Sequence, residues 1–424
     1  MIYALATPRA RGALAVFRAS GEGCIEALSK VFSPAGKLRD CPTNTCIYGR
    51  LLDIDQVVVN VYRNGHGYTG QEAFELMCHG SLSAFDMISA KLEELGFRAA
   101  MGGEFTMRAF LSGKMDLTQS EAVQDIVNSD SPISQKQAFS KLQGSLFKAI
   151  EAFKSTLLDI LAPIELQLDY AQDDIEDEFG FPYSRLEALI KDIDALAATY
   201  RTSPLVQEGA RVVLAGPVNA GKSTLFNLLL KSDRAIVSPI KGTTRDYLEA
   251  PCLIDGHKVR LFDTAGLRQS EDDLEKQGIQ RSRLVIEDAD LVVYLSPDIQ
   301  DLESQCESWI RVQSRCDESV SDGPFLKLSC ITGQGLEELC HVISSRLGSL
   351  VETCDGMMIQ SARQAQGLHE ASLCLKRAIE TSEIGLDLSA GHIGNALRCL
   401  GELVGETSSD EMLERIFSSF CVGK

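Results

Sequence analysis

The strongest chemical signal in the sequence is a phosphate-binding loop. Residues 216–223 read Gly-Pro-Val-Asn-Ala-Gly-Lys-Ser and match G-x-x-x-x-G-K-[ST] between a predicted strand and a predicted helix. Backbone N–H groups and the helix N-terminus of such a loop bind phosphate. Lys222 would reach the β- and γ-phosphates, and Ser223 would bind Mg²⁺. The other predicted nucleotide contacts of this loop are Asn219, Ala220, Gly221 and Thr224.

Two further short motifs follow in the order that a GTPase requires. Gly-Thr-Thr-Arg-Asp at 242–246 offers a threonine hydroxyl, assigned to Thr244, that completes the Mg²⁺ shell in a first switch. Asp-Thr-Ala-Gly at 263–266 offers the Asp263 carboxylate to the outer shell of the metal and the Gly266 N–H to the γ-phosphate. The order and spacing resemble translation-factor-type GTPases rather than generic ATPases. The predicted contacts are Ser238, Pro239, Ile240, Lys241, Gly242, Thr243, Thr244, Asp263, Thr264, Ala265 and Gly266.

The residue that positions the attacking water is not the usual one. Ras-like GTPases carry a glutamine directly after Asp-Thr-Ala-Gly, whereas this chain has Leu267. A leucine has no hydrogen-bonding group, so another side chain must position the water. The acidic stretch 271–275 follows in the predicted second switch. From the residues alone, it is either the solvated start of a helix or the source of that side chain.

The usual guanine-reading sequence Asn-Lys-x-Asp is missing, and residues 229–393 contain no asparagine. The best substitute is Ser-Arg-Cys-Asp at 314–317, in which Asp317 can accept two hydrogen bonds from guanine and Arg315 can stack on the base. Ser314 replaces only part of the hydrogen bonding of an asparagine, so we expect guanine affinity below the usual level. The loop that would complete the base site is Ser329, Cys330 and Ile331.

These motifs require strands that lead into the loops and helices that follow them. Apolar runs at 212–214, 259–262, 291–295 and 325–328 predict buried strands, and a helix is predicted from Lys222 onward. Residues 207–350 are therefore predicted to form an α/β domain of the Ras-like P-loop GTPase type.

The rest of the chain separates into a mixed domain and a helical one. Residues 1–118 alternate predicted strands, at 13–17 and 57–62, with a helix at 81–95, which indicates an N-terminal α+β domain. Long helices are predicted in 119–206, for example at 149–168, where Pro163 should cause a kink, and Gly180-Phe181-Pro182 predicts a turn. Residues 351–424 return to helix. The GTPase domain is therefore predicted to be inserted into a helical domain made of 119–206 and 351–424.

Composition limits the class of protein. The 424 residues are enough for about three domains, and 44% hydrophobic with 24% charged residues is typical of a soluble globular protein. The N-terminus lacks the order of parts of a secretory signal, and no apolar run approaches the roughly 18 residues of a membrane span. The 13 cysteines show no zinc or Cys-x-x-Cys spacing, so we expect buried thiols in a reducing compartment.

The net charge of −19 argues against a protein that grips nucleic acid over its whole surface. Residues 1–120 hold 12 basic and 12 acidic side chains, and the remaining 29 basic and 48 acidic residues supply the whole excess. A nucleic-acid partner must therefore meet a local patch or a second protein.

The whole chain resembles the tRNA-modification GTPase family MnmE, also called TrmE. The evidence lies outside the GTPase motifs, and the ending Arg-Ile-Phe-Ser-Ser-Phe-Cys-Val-Gly-Lys at 415–424 is similar to the closing motif of the family, with Val422 in place of the usual Ile. The other matching stretches are Ala-Thr-Pro at 6–8, Arg-Gly at 11–12, Arg-Ala-Ser-Gly at 18–21, Tyr-Thr-Gly-Gln-Glu at 68–72, Glu-Leu at 75–76, His-Gly at 79–80, Gly-Glu-Phe-Thr-Met-Arg-Ala-Phe at 103–110 and Lys-Met-Asp-Leu at 114–117.

The resemblance implies a second ligand and a homodimer. The family pairs an N-terminal domain, which binds tetrahydrofolate and forms the dimer, with a helical domain interrupted by the GTPase domain. By resemblance, a 5-formyl- or 5,10-methylene-tetrahydrofolate would contact Arg18, Glu75, Lys114 and Lys424. The chemistry agrees, because the glutamate tail of folate is anionic and its pterin offers donors to a carboxylate. Without the family, each of these residues would be interpreted as a surface charge.

The resemblance also implies how the GTPase is activated. In the family, K⁺ stands where an arginine finger would neutralise transition-state charge when two GTPase domains meet; such a finger contributes roughly 10³ to 10⁵ in rate. Glu275 matches the glutamate that positions the attacking water. The positions that match the K⁺ ligands are Asn219, Ser238, Ile240 and Thr243, with Ser238 in place of the usual Thr.

The family acts on tRNA together with a flavin-binding partner, MnmG or GidA. The pair adds an aminomethyl or carboxymethylaminomethyl group to C5 of the wobble uridine, with tetrahydrofolate as one-carbon donor and FAD on the partner. A cytoplasmic heterotetramer that leaves most tRNA contact to the partner would reconcile the charge of −19 with a tRNA substrate. Cys421 is then either an acid or nucleophile near the folate or a structural thiol.

Two other functions are compatible with part of the sequence but explain less of it. A GTPase switch for ribosome biogenesis would share the phosphate loop but usually carries an RNA-binding appendage, and 351–424 is neither basic nor aromatic enough to resemble one. A plain folate-dependent one-carbon transferase would not require the loop at 216–223.

Overall fold

The computed structural model describes residues 1–169, 180–231, 248–264, 284–306, 308–318, 323–351, 356–407 and 409–423. The chain divides into two compact units. Unit 1 consists of Met1–Gln124, Lys141–Lys154 and Leu400–Lys424, and unit 2 consists of Asp125–Ser140 and Ser155–Cys399.

Unit 1 is built on a seven-stranded sheet in the order β3-β4-β5-β6-β2-β1-β7. The strands are β1 (Ile2–Leu5), β2 (Gly12–Ser20), β3 (Phe32–Ser33), β4 (Thr45–Leu51), β5 (Asp55–Tyr62), β6 (Ala73–Gly80) and β7 (Arg98–Ala99). All neighbours are antiparallel except β1 and β7. Buried and less buried residues alternate along β5, as expected for a strand with one face on the core. Phe17, Phe74 and Phe85 are fully buried in that core.

Short helices accompany the sheet, and longer ones follow it. They are α1 (Cys24–Ser29), α2 (Ala35–Asp40), α3 (Leu82–Glu94), α4 (Glu104–Leu111), α5 (Leu117–Asn128), α6 (Pro132–Leu142), α7 (Ser145–Asp169) and α8 (Tyr183–Ala198). The predicted strands at 13–17 and 57–62 and the helices at 81–95 and 149–168 are confirmed as β2, β5, α3 and α7. Helix α7 continues through Pro163, and the kink expected there stays a prediction. Residues 180–182 lie outside helix directly before α8.

A 3₁₀ turn (Thr199–Thr202) and a π-helix (Leu205–Gly209) lead from α8 into the second sheet. Its order is β13-β12-β11-β8-β10-β9. The strands are β8 (Ala210–Ala215), β9 (Leu248–Ile254), β10 (His257–Asp263), β11 (Leu291–Ser296), β12 (Ile310–Ser314) and β13 (Leu326–Leu328), and the helices are α9 (Lys222–Lys231), α10 (Ile299–Glu303) and α11 (Leu336–Leu350). Only β9 runs antiparallel to its neighbour.

This second sheet explains the sequence pattern of its strands. Parallel strands covered on both faces carry continuous apolar runs, and Val212, Val213 and Leu214 of β8 are all fully buried. The four predicted buried strands are confirmed as β8, β10, β11 and β13. Because parallel strands bring their carboxyl ends to one edge, the loops after β8, β10, β11 and β12 gather there.

Three helices complete the chain: α12 (Ala362–Thr381), α13 (Leu386–Val404) and α14 (Asp410–Phe417). In unit 2, α12 packs along α8, and Lys376 Nζ lies 2.8 Å from Asp194 Oδ2 between them. The fold is thus a mixed α/β chain in which helices flank the second sheet on both sides in sequence, as predicted. None of the helices in the described ranges has the length and apolar character that a bilayer-crossing segment requires.

Candidate functional site

The phosphate-binding loop leaves the carboxyl end of β8 and enters α9 at Lys222. Gly216 has φ of 138°, and a Cβ there would lie 2.0 Å from the carbonyl oxygen of Leu295, so only glycine fits beside β11. Gly221 has φ of 94° directly before the helix. The two glycines bend the backbone around the helix N-terminus, where N–H groups lack helical partners.

Two side chains of α9 meet the oxygens around this loop. Lys222 is 6% exposed, and its Nζ donates to the carbonyl oxygens of Gly216 at 2.9 Å and Pro217 at 2.7 Å. Ser223 Oγ donates to Asp263 Oδ2 at 2.6 Å. The ammonium group lies where phosphate oxygens could replace the carbonyls, and the hydroxyl and carboxylate oxygens are of the kind that Mg²⁺ prefers. The residues present therefore fit a Mg²⁺-bound nucleotide.

A cleft of about 830 Å³ extends from the loop to the predicted base-reading segments. Its walls include Asn219, Lys222, Ser223, Thr224 and Thr264, and at the other end Ser314, Arg315, Asp317, Cys330 and Ile331. This volume lies within the about 300–1,000 Å³ typical of ligand pockets. The structure thus brings the phosphate loop and all but one of the predicted base contacts into one cleft. The exception is Ser329, which is fully buried and does not line the cleft.

The base end of the cleft is formed by the turns after β12 and β13. The Cys316 N–H donates to the Leu328 carbonyl, and the Ser329 N–H donates to the Gln334 carbonyl, so both turns are held by backbone bonds. Asp317 is exposed toward solvent. Burial, and secondarily the charge of Asp317, raise the pKa of the Cys330 thiol, so this thiol stays protonated at neutral pH.

Ser314 differs from its neighbours because it is buried without a partner. Ser314 is 3% exposed, and its Oγ has no hydrogen-bond partner among the described residues. A buried unpaired hydroxyl costs about 1–3 kcal/mol. The base end therefore carries an unused hydrogen-bonding group at the position where the sequence lacks an asparagine.

Arg315 makes a contact that the sequence did not indicate. Its Nη2 donates to the backbone carbonyl of Asn219 at 2.7 Å, so the predicted base-reading turn is bonded to the phosphate loop. Arg315 and Asn219 have φ of 56° and 63°, in the left-handed region. Left-handed backbone is tolerated by asparagine and costly for arginine, and nothing in the residue order of Ser-Arg-Cys-Asp signals it. The stacking on guanine expected of Arg315 stays a prediction.

Several predicted site residues lie outside the described residues. This group contains the first switch, most of the second switch and the water-positioning candidate. Its members are Ser238, Pro239, Ile240, Lys241, Gly242, Thr243, Thr244, Ala265, Gly266 and Glu275, together with Lys424.

A second, smaller cavity lies in unit 1 at the predicted folate-binding residues. Arg18 on β2 and Glu75 on β6 are paired in the antiparallel register, and Arg18 Nη2 lies 2.7 Å from Glu75 Oε1. Tyr62 Oη donates to Glu75 Oε2 at 3.1 Å. Burial and the nearby Glu75 carboxylate raise the pKa of Tyr62, so the phenol remains a donor.

Aromatic rings form the wall of this cavity. The Arg18 guanidinium lies 5.2 Å from the centre of the Tyr68 ring and 5.8 Å from that of Phe105. The cavity measures about 140 Å³, which is below the about 300 Å³ at which drug-sized ligand pockets begin, so it has room for part of a folate. Tyr68 and Phe105 were not predicted as contacts, although both lie within motifs that carry the family resemblance.

The segment 421–423 returns to this cavity. The carbonyl oxygen of Gly423 accepts a hydrogen bond from Arg18 Nη1 at 3.3 Å, and Val422 forms an antiparallel bridge with Gly102. Cys421 is exposed, and its carbonyl accepts from the Gly103 N–H. Arg18, Glu75 and the segment beside Cys421 are thus brought together.

Lys114 contacts the loop that borders the cavity but does not line the cavity itself. Its Nζ donates to the carbonyl oxygen of Gly65, and its Cε lies 3.5 Å from where a Cβ on Gly70 would be. Gly70 follows Thr69, which lines the cavity. The ammonium of Lys114 is therefore near the loop that borders the cavity rather than within the cavity itself.

Comparison with known proteins accounts for nearly the whole chain. The family model for the MnmE helical domain matches residues 117–421, and that for the GTP-binding protein TrmE N-terminus matches residues 1–114. The chain is 36% identical to the tRNA modification GTPase MnmE of Treponema denticola over 461 aligned positions, which cover 100% of this chain and 98% of that protein. It is also 36% identical to that of a Thermus thermophilus strain, with 100% of this chain and 98% of that protein covered.

Solved structures match only part of the chain. The G domain of the FeoB iron transporter of T. maritima is 27% identical and covers 33% of this chain and 98% of that chain, with a TM-score of 0.24. Era of Aquifex aeolicus is 21% identical and covers 40% of this chain and 67% of that chain, with a TM-score of 0.26.

Proposed function

Because the chain belongs to the MnmE family of tRNA modification GTPases, we propose that it is a K⁺-activated GTPase in folate-dependent modification of the wobble uridine of tRNA. GTP would bind in the cleft of unit 2, and a formyl- or methylene-tetrahydrofolate would bind at the cavity of unit 1. A flavin-binding MnmG-type partner would supply FAD, and the pair would act on tRNA in the cytoplasm.

The observation that carries the GTPase assignment is the set of contacts around α9. Lys222 Nζ lies on the carbonyl oxygens of the phosphate loop, and Ser223 shares a hydrogen bond with Asp263 at the end of β10. A bound Mg²⁺ would neutralise phosphate charge. Lys222 would hold the β- and γ-phosphate oxygens, while Ser223 would supply a metal ligand that Asp263 orients from the outer shell.

The base end supports a preference for guanine of limited strength. Asp317 would accept from N1 and N2 of guanine. Ser314 offers one hydroxyl in place of the amide of an asparagine, so fewer base contacts are available. We therefore expect GTP to be preferred over ATP, with a weaker affinity than in GTPases that carry Asn-Lys-x-Asp.

The proposed K⁺ site rests on Asn219. The side-chain amide oxygen of asparagine is a suitable K⁺ ligand, and Asn219 lies in the phosphate loop on the cleft wall. Ser238, Ile240 and Thr243 would complete the site, and Glu275 would position the attacking water. Since Leu267 cannot replace the usual glutamine, the ion and Glu275 together would carry the hydrolytic function.

The test is GTP hydrolysis in KCl and in NaCl at matched ionic strength. We expect hydrolysis to be at least about tenfold faster in KCl, because a positioned charge of this kind contributes roughly 10³ to 10⁵. Asn219→Gly should remove most of this difference. Glycine is the sharper variant, since an alanine at φ of 63° would add backbone strain of about 1–2 kcal/mol.

Asn395→Ala is the matched control, because Asn395 is exposed on α13 and far in sequence from the cleft motifs. It should keep the full salt response. Equal wild-type rates in the two salts would rule out K⁺ activation, and no hydrolysis in either salt would contradict the GTPase assignment itself.

The folate site is proposed from charge and shape at the cavity of unit 1. Glu75 can accept from the donors of a pterin, and Arg18, which lies 2.7 Å from Glu75, would contact the same end of the ligand. Lys114, outside the cavity, is suited to the anionic glutamate tail. The flat walls formed by Tyr68 and Phe105 suit a planar heterocycle. Lys424 and Cys421, at the end of the segment that returns to Arg18, would complete the site, with Cys421 as acid or nucleophile.

The proposed assembly is a homodimer joined with the flavin-binding partner in a heterotetramer. Residues 1–118 would form the folate-binding and dimerisation domain, 207–350 the GTPase domain, and 119–206 with 351–424 the helical domain. The first of these limits is proposed close to where one family match ends, at residue 114, and the other begins, at residue 117.

A further inference from the structure

One lysine connects the N-terminal end of strand β10 to the helical part of unit 2 through hydrogen bonds. Lys258 is the second residue of β10, and its Nζ lies 2.8 Å from Asp130 Oδ2 and 3.0 Å from the carbonyl oxygen of Gln207. Asp130 belongs to the connection between α5 and α6, and Gln207 belongs to the π-helix before β8. We name these three residues the Lys258 junction.

The junction lies where the chain enters and leaves the second sheet. Gln207 Nε2 donates to the carbonyl oxygen of Gln360 at 3.2 Å, and the Ile359 N–H donates to Thr199 Oγ1 at 2.9 Å. The segments before β8 and before α12 are therefore bonded to each other. A π-helix is rare and is frequently found at functional sites, and here it supplies the carbonyl that Lys258 holds.

The fit around the lysine stem is close. The Lys258 side chain is 19% exposed, whereas that of Asp130 is 65% exposed. Gly209 has φ of 100°, and a Cβ there would lie 3.0 Å from Lys258 Cγ. The stem is thus packed against the π-helix, while the carboxylate partner remains in contact with solvent. An ion pair with one exposed partner is weak enough to form and break as its surroundings shift.

Strand β10 connects this junction to the nucleotide cleft. It begins next to Lys258 and ends at Asp263, which accepts the hydrogen bond from Ser223 of α9. The five steps between them span about 17 Å at the rise of a strand. The strand is hydrogen-bonded along this length to β8 on one side and to β9 on the other, so it is a rigid link between its two ends.

We propose that Lys258 is a positioning residue that couples the nucleotide state of the cleft to the α5–α6 connection. A change at Asp263, when Ser223 turns from that carboxylate to a metal ion, would move β10 as a rigid part of the sheet. Lys258 would then alter its contacts with Asp130 and Gln207. The proposal rests on GTP binding in the cleft, as proposed above, and adds a route from that site to the helical part of the protein.

The test is hydrogen exchange of the full chain, measured by mass spectrometry with GDP and with a non-hydrolysable GTP analogue. In the wild-type protein, peptides covering 125–135 and 205–210 should differ between the two states by about 2- to 30-fold in exchange rate, the range expected for coupling through connected elements. Lys258→Met keeps the stem but removes the ammonium. It should abolish this difference, while peptides covering 212–224 still respond to the nucleotide.

Lys376→Met is the matched control, because Lys376 and Asp194 form an ion pair of the same length, 2.8 Å, between α12 and α8. It should leave the response at 125–135 and 205–210 unchanged. Asp130→Asn provides a second variant that removes one charge with little change of shape, and it should reproduce the loss seen with Lys258→Met.

Three results would contradict the coupling. A wild-type protein that responds at 212–224 but not at 125–135 and 205–210 would overturn it, as would Lys258→Met and Asp130→Asn variants that keep the full response. A response lost equally in the Lys376→Met control would also overturn it, since the effect would then be general. No response at 212–224 would instead contradict nucleotide binding, and with it the proposed function.

Discussion

At the scale of single residues, the proposed base end of the cleft contains a buried polar group without a partner among the described residues. Ser314 ends β12 at the position that we propose for the guanine-reading asparagine, and its hydroxyl is buried without a partner among the described residues. A short side chain at this place leaves a polar group unsatisfied in the nucleotide-free protein. The unpaired hydroxyl lowers the stability of the folded protein, and the short side chain offers fewer contacts to the proposed base.

Ser314→Ala should therefore leave the nucleotide-free protein as stable as the wild type, or stabilise it by up to about 1 kcal/mol, because it removes an unpaired hydroxyl. Ser389→Ala is the control in the same unit: Ser389 is also fully buried, but its Oγ donates to the Ala378 carbonyl at 2.9 Å. That change should cost about 1 kcal/mol. Thermal unfolding of the two variants would test this, and a larger loss for Ser314→Ala than for Ser389→Ala would contradict it.

Site residues could be predicted from the sequence where a short motif identifies them. They could not be predicted where their contacts depend on backbone conformation or on strand register. The phosphate-loop pattern identified Lys222 and Ser223, and the structure brings both to the same cleft as Asp317. The bond from Arg315 to Asn219 depends on two left-handed residues. The Arg18–Glu75 pair depends on the pairing of β2 with β6, a non-local register that no local pattern specifies.

At the scale of elements, the hairpin from β9 to β10 combines a turn with a titratable group. Asp255 and Gly256 form the turn, with φ of 46° and 86°, and His257 follows as the first residue of β10. The His257 ring lies against Gly348 of α11, where a Cβ would be 3.9 Å from it. Burial lowers the pKa of His257 below 6.5, and the charge of Asp255 opposes this only in part.

His257 should make the protein less stable in weak acid. Since its pKa is lower in the folded state, the unfolded chain binds more protons between that pKa and 6.5. Stability from this group is therefore complete above about pH 6.5 and is lost as the pH falls below it. The thermal unfolding midpoint of His257→Gln should decrease less than that of the wild type between about pH 7.5 and about pH 5.5.

His66→Gln is a suitable control, because His66 is exposed in unit 1. The thermal unfolding midpoint of this variant should decrease as much as that of the wild type over the same pH range. A His257→Gln variant with an unchanged decrease would exclude this histidine as the source.

Element prediction succeeded for long apolar or periodic segments. Apolar runs predicted the strands at 212–214 and 291–295, and the spacing of apolar residues predicted the helix at 149–168. Both patterns involve only residues that are close in sequence. The two-residue strands β3 and β7 and the π-helix carry no such signal, since each depends on packing against distant residues. The order of the second sheet, with β8 between β10 and β11, also arises from connections that periodicity does not encode.

At the scale of the whole molecule, the sequence correctly indicated helical segments before and after an α/β unit. The predicted domain limits stay a prediction, because the compact units divide the helices differently and assign Asp125–Ser140 and Ser155–Cys399 to one unit. Unit 1 in turn contains residues from both ends of the described chain. Its cavity is lined by Arg18 and Glu75, and Arg18 also donates a hydrogen bond to the carbonyl oxygen of Gly423.

A variant that lacks residues 421–424 should bind 5-formyl-tetrahydrofolate about 10- to 100-fold more weakly than the wild type, because it removes groups that hold Arg18 and that we propose to contact the ligand. Arg18→Ala should lose a similar amount, since a charge-assisted hydrogen bond contributes about 1.5–3 kcal/mol. Titration calorimetry would measure both.

Arg9→Ala is the control, because Arg9 forms an exposed ion pair with Asp86 and should have little effect on affinity. Wild-type affinity in the shortened variant and in Arg18→Ala would refute the assignment of folate to this cavity. Wild-type affinity in the shortened variant alone would restrict the site to Arg18 and Glu75.

The contact between Arg18 and Gly423 also sets an order of events during synthesis. The two residues are 405 positions apart, so at about 5–20 residues per second the ribosome reaches Gly423 some 20 to 80 seconds after Arg18. Arg18 therefore lacks this partner for that time, during which all of unit 2 is synthesised. A chain whose translation stops shortly before Gly423 would therefore emerge with Arg18 lacking this hydrogen bond, even though the sheet that carries Arg18 is already complete.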